Sequence, residues 1–127
     1  AAGYGMDTAL GCDIRIMGQS AKLAAAFVKR GVVPESGGTW FLPRMIGWAK
    51  AAELIFTGRT LSAQESLDWG LANLVVPDAE LQATARAMAA EIAANAPLAV
   101  QALIWLNLHK TVLQAHNKNT VFISQWI

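Results

Sequence analysis

Residues 27–39 read Phe27-Val28-Lys29-Arg30-Gly31-Val32-Val33-Pro34-Glu35-Ser36-Gly37-Gly38-Thr39. Pro, Ser and two glycines crowd into a tight turn that carries one carboxylate, Glu35, and opens directly into a helical pattern starting at Gly38. Upstream, residues 1–16 read Ala1-Ala2-Gly3-Tyr4-Gly5-Met6-Asp7-Thr8-Ala9-Leu10-Gly11-Cys12-Asp13-Ile14-Arg15-Ile16. A glycine-rich turn that feeds a helix leaves backbone N–H groups pointing out of the helix start, and such groups can hold an oxyanion. These two segments carry the chemistry that the sequence offers.

The surrounding pattern is mixed α/β. A short helix is predicted over Met6–Cys12. The alternation in Asp13–Met17 predicts a strand, and Lys22–Ala24 predicts another. Gly38–Ile46 reads as helix with a kink or break expected at Pro43. Trp48–Phe56 is a run of good helix formers, stopped by Gly58. Ser62-Ala63-Gln64-Glu65 matches a capping box for a helix that ends at Gly70. Asn73–Val76 predicts a strand closed by Pro77. Asp78 is the expected N-cap of a helix over Ala79–Ala94, with Leu81, Ala85, Met88 and Ile92 on one face. Pro97 opens a further helix.

Composition narrows the function classes. The 127 residues are 54% hydrophobic, 15% charged and 8% aromatic, which excludes a disordered tail, a collagen-like fibre and a disulfide scaffold. Ten Lys and Arg against nine Asp and Glu give a net charge of +1, so no basic excess exists to release counterions from a nucleic acid. Mean hydropathy is +0.34, apolar enough to expect surface buried against a partner or a place within something larger. The apolar stretch from Ile92 to His109 is interrupted by Asn95, Pro97, Gln101 and Asn107, so a buried or interface helix is expected rather than a membrane span. The single cysteine, Cys12, excludes an intramolecular disulfide and suits a reducing, cytoplasmic compartment. Cys12 is expected to be a buried, inert thiol, and Ser36 to cap the helix that follows it. His109 and His116 can share a helix face, but no third ligand is apparent for a metal.

The ordered set of motifs resembles the crotonase superfamily, the enoyl-CoA hydratases and isomerases. The resemblance rests on the two segments above. It rests also on Leu42-Pro-Arg-Met-Ile-Gly47, Ala51-Ala-Glu-Leu-Ile-Phe-Thr-Gly58, Leu61-Ser-Ala-Gln-Glu-Ser-Leu-Asp-Trp-Gly-Leu-Ala-Asn73 and Val75-Val-Pro-Asp78, in family order over about residues 1–103. It implies a crotonase-like ββα spiral followed by C-terminal helices. Residues 1–77 would be part of the spiral core and 78–127 a helical oligomerisation region. The implied assembly is a homotrimer or a hexamer. The implied substrate is an acyl-CoA, with coenzyme A entering as part of the thioester and no tightly bound cofactor or metal. A nucleic acid or a membrane is not expected as a partner.

Residue by residue, the resemblance places the second oxyanion donor on the backbone N–H of Tyr4, within the Gly3-Tyr4-Gly5 turn. Of the two glutamates used by hydratases, the first falls on Asp7, one methylene shorter, and the second on Phe27, which cannot move a proton. Glu35 falls on the acidic position that similar isomerases use as a single base. Phe27 and Trp40 are expected to line the acyl site and exclude water. The implied activity is a double-bond shift in an enoyl-CoA through an oxyanion-stabilised thioester enolate. The alternatives are hydration with an altered acid pair and a non-catalytic or oligomerisation remnant. The chain starts with Ala at the oxyanion turn, which implies a fragment from the family's C-terminal portion, expected to be active only when the missing N-terminal half is present. Trp105, Phe122 and Trp126 depart from the family's basic tail pattern and are expected in core or interface.

Overall fold

The computed structural model describes residues 1–34 and 36–116, with 107–116 as helix backbone alone. Glu35, Phe122 and Trp126 lie outside the described residues, as do the His109 and His116 side chains. The chain divides into two compact units, Ala1–Ala85 and Arg86–Ile127.

In the first unit the order is α1 (Tyr4–Leu10), β1 (Ile16–Gly18), β2 (Lys22–Ala24), α2 (Gly38–Thr57), β3 (Thr60–Ser62), α3 (Ala63–Asp68) and β4 (Leu74–Val76). A helix α4 (Leu81–Ala93) starts in this unit and ends in the second, which also holds α5 (Pro97–His116). Single turns of 3-10 helix occupy Val28–Arg30 and Asp78–Glu80.

The strands form two ribbons. β1 runs parallel to β4, with Ile16 opposite Leu74 and Gly18 opposite Val76. β2 runs antiparallel to β3, with Lys22 opposite Ser62 and Ala24 opposite Thr60. Arg15 clamps the first ribbon. Its amide donates to Asn73 Oδ1 at 2.8 Å, its Nε to the Leu71 carbonyl at 2.6 Å, and its carbonyl accepts from the Asn73 amide at 2.8 Å. The core sits between α1, α2 and the ribbons. Met6, Leu10, Leu23, Leu42, Ala51, Leu54, Leu61 and Leu71 are all almost fully buried there. α1, α2 and α3 supply that core from one stripe each and the strands from their inward residues, as the periods of 3.6 and 2 require.

Several local features follow the residues closely. β2 covers the predicted three residues. The capping box at α3 is formed: the Glu65 amide donates to Ser62 Oγ at 3.2 Å, and Glu65 Oε2 accepts from the Ser62 amide at 2.8 Å. Those Ser62 bonds, backbone first and hydroxyl second, hold the Glu65 carboxyl below its ordinary value, with Arg59 adding to the effect. Arg59 reaches Glu53 at 2.6 Å as well as Glu65, and its guanidinium lies 5.3 Å from the Trp69 ring centroid. Gly58 ends α2 at φ 59, its amide donating to the Leu54 carbonyl. Such a left-handed stop favours glycine.

Four expectations are corrected. The break in α2 falls at Gly47 (φ 76, ψ 162) and not at Pro43, which stays within the helix. A proline's fixed φ fits a helix, and only the bond to the Thr39 carbonyl, on an exposed residue, is lost. Gly47 instead adopts a backbone that side-chain residues rarely reach. Asp78 caps no helix of its own. Its Oδ1 accepts from the Ser20 amide at 3.1 Å, and the Ser20 side chain and amide hold its carboxyl below the ordinary value. Cys12 is exposed, because the helix ends at Leu10 and the chain turns outward. Its thiol faces the Thr8 carbonyl at 3.6 Å. Ser36 does not cap α2, whose N-cap is Gly37 with no side-chain cap bond.

In the second unit, Ile92, Leu98, Leu103, Ile104, Trp105 and Leu106 are exposed. No single helix among the described residues is long and apolar enough to cross a membrane.

Candidate active site

The glycine turn is pinned before α1 begins. The Gly3 amide donates to the Ala24 carbonyl at 3.0 Å and the Ala24 amide to the Ala1 carbonyl at 3.0 Å, a parallel bridge onto β2. Gly3 then takes φ 55, ψ −125, which turns the chain into α1. The amides of the first turn are next accounted for. Gly5 donates to the Ala2 carbonyl at 3.1 Å, while Met6 and Asp7 both donate to the Gly3 carbonyl, at 2.9 and 3.1 Å. Among the described residues no acceptor takes the Tyr4 amide. It is the first donor of the helix, on a residue 61% exposed, at the positive end of the helix dipole. An anionic oxygen is the partner that such a donor suits.

Of the other candidate residues, Phe27 lies against this turn. Phe27 is 6% exposed and belongs to the core. Its Cε1 lies 3.8 Å from where a Cβ on Gly3 would stand, so the ring supports the turn from beneath. Asp7 is 1% exposed, and its Oδ2 accepts from the Gly38 amide at 3.2 Å, joining α1 to the first residue of α2. Trp40 stands half-buried in the first turn of α2, with the Arg44 guanidinium 3.1 Å from its ring centroid and Arg44 Nη1 donating to its carbonyl at 3.0 Å. The structure thus brings Gly3 to Phe27 and Asp7 to Gly38. Glu35 lies outside the described residues, three positions before Gly38 in the sequence.

Sequence reasoning missed the Asp7–Gly38 bond and the Arg44 cover on Trp40. The first had one signal, the Gly37-Gly38 pair at a helix start, where a second chain can approach the backbone. The second had the four-residue spacing of Trp40 and Arg44 on one helix. Among the described residues no group of three His, Cys, Asp or Glu side chains is placed to hold a metal ion.

A family model described as enoyl-CoA hydratase/isomerase matches residues 1–122. The chain is 41% identical over 121 residues to 1,2-epoxyphenylacetyl-CoA isomerase of Escherichia coli (strain K12), covering 95% of this chain and 44% of that protein. It is 41% identical over 103 residues to carnitinyl-CoA dehydratase of Salmonella typhi, covering 81% of this chain and 40% of that protein. A crystal structure of an enoyl-CoA hydratase from Mycobacterium avium superposes with a TM-score of 0.87 at 35% identity, covering 92% of this chain and 52% of the other. The chain therefore spans less than half the length of the curated relatives it matches. These matches support the fold and the family, and not the narrower placement of the chain as the family's C-terminal portion.

Proposed function

Because the chain belongs to the enoyl-CoA hydratase/isomerase family, we propose that its site shifts a double bond in an enoyl-CoA, with the thioester oxygen on the Tyr4 amide and Glu35 as the proton carrier. The observation that carries this reading is the Tyr4 N–H, presented without an acceptor among the described residues at the start of α1.

The chemistry balances with one carboxylate. Glu35 takes the proton from C2 of a 3-enoyl thioester, and the electron pair moves onto the thioester oxygen as a dienolate. The Tyr4 amide stabilises that oxygen as its charge grows, which makes the C2 proton acidic enough to transfer. The protonated Glu35 then returns the proton to C4, and the dienolate collapses to the 2-enoyl thioester. Coenzyme A takes part only as the substrate's thioester, and the step uses no further cofactor. Phe27 holds the turn that carries the Tyr4 amide, and Trp40 contributes apolar surface near the start of α2. Hydration by two carboxylates is disfavoured, because Phe27 stands at the second acid position and is packed in the core.

We extend the proposal to the setting of the reaction. The exposed apolar residues of the second unit, Leu98 at 81% among them, support burial in a homotrimer or hexamer. The single, exposed Cys12 suits a reducing cytoplasm.

Turnover of a 3-enoyl-CoA by the 127-residue chain, with products resolved, tests the activity. A 2-enoyl thioester is the expected product. A 3-hydroxyacyl thioester contradicts the proposal, and no product from a folded sample favours the reading of this chain alone as a remnant or fragment.

A further inference from the structure

Two polar side chains are buried among the described residues, Asp7 and Ser66. The Ser66 hydroxyl donates to the Ser62 carbonyl one turn back, at 2.8 Å. Asp7 instead reaches out of its own helix to the Gly38 amide, 31 positions along the chain. The site is shaped around that reach. A Cβ on Gly38 would stand 2.9 Å from Asp7 Cγ, closer than side-chain atoms approach. Gly37, at φ 100, makes the preceding turn in a conformation that favours glycine. The other amides of this turn are directed inward, Trp40 and Phe41 both donating to the Gly37 carbonyl at 2.8 and 2.9 Å. The Gly38 amide has its partner in Asp7. A carboxyl with the reach of aspartate fits this gap.

We propose that Asp7 is a positioning residue rather than a proton carrier. Its carboxyl is a strut between α1, whose first amide is the oxyanion donor, and the start of α2, three positions after Glu35 in the sequence. The role rests on the functional reading of Tyr4 and Glu35 given above. It differs from the part of first acid that the hydratase resemblance gives to this position. Removing the strut frees the start of α2 from the helix that carries the oxyanion donor, an error that catalysis feels more than binding does.

The test compares Asp7→Ala with Asp7→Asn. It reads isomerisation kinetics, the pH profile of kcat and hydrogen exchange at the Gly38 amide. In Asp7→Ala the Gly38 amide exchanges at least about tenfold faster than in the wild type. The same variant loses about a hundredfold in kcat with KM changed by no more than about threefold. Asp7→Asn keeps an oxygen that accepts from Gly38. It recovers kcat to within about tenfold of wild type, with both limbs of the pH profile in place. An Asp7→Asn variant as slow as Asp7→Ala and missing one limb would make Asp7 a proton carrier and overturn the proposal. Unchanged Gly38 exchange in Asp7→Ala would overturn the strut. If Asp7→Ala does not fold, the Asp7→Asn profile decides alone. Absence of wild-type isomerisation would count against the functional reading, while Gly38 exchange would still decide the strut.

Discussion

Replacing Glu35 by Gln is expected to slow isomerisation by about two to four orders of magnitude, the usual worth of a positioned acid–base group. Glutamine keeps the length and the hydrogen-bonding oxygen of the side chain but cannot carry a proton. The loss therefore falls on kcat, with KM little changed. The competing role for Glu35 is to accept amides at the start of α2. That role is largely filled already. Asp7 takes the Gly38 amide, and the Gly37 carbonyl takes those of Trp40 and Phe41. An amide that lost an acceptor there would cost stability no more than about 1 kcal/mol. Steady-state kinetics beside a thermal melt separates the two roles. Full turnover in Glu35→Gln would remove it from the mechanism.

The largest effect on stability is expected at Leu61. This residue sits at the centre of β3, opposite Leu23 on β2, and is completely buried. Leu61→Ala removes three methylene-scale groups from a site between β2 and α3, leaving a cavity that a two-stranded ribbon fills poorly. A loss of about 2–5 kcal/mol follows, a large part of the roughly 5–15 kcal/mol that holds a domain together. Val33→Ala, at a side chain 72% exposed, is the comparison and shifts stability by no more than about 0.5 kcal/mol. Urea denaturation of the two variants measures the difference. The consequence reaches the site, because β3 holds β2, and β2 holds the glycine turn through Ala24.

Features written within a few residues were legible before the structure. The capping box at Ser62 and Glu65 and the stop at Gly58 each depend on local backbone preference, and each formed where the residues place it, whereas the helix expected over Met6–Cys12 begins two residues earlier, at Tyr4. The ordered motifs carried the family in the same way. What was not legible involves partners far apart in the chain. Asp78 reads as a cap by its place before a helix, but Ser20 lies within its reach and its amide is the donor it meets. Asp7 reads as the first acid of the resemblance, and its bond to the Gly38 amide appears only once α2 is packed beside α1. Cys12 looks apolar by its neighbours, yet exposure is decided by where the chain turns after Leu10. The break in α2 shows local preferences in competition. Proline tolerates the helical φ, whereas Gly47 is free to leave it, and the chain bends at the freer residue.

The proposed reaction depends on the Tyr4 amide as the donor to a thioester enolate. The most direct measurement follows that amide by proton–nitrogen NMR while the chain is titrated with acetoacetyl-CoA, a thioester that enolises without turning over. The Tyr4 N–H is expected to move downfield, among the largest shifts in the spectrum, and to saturate with the ligand. Binding that leaves the Tyr4 amide unmoved, or a folded chain that does not bind the thioester, would contradict it.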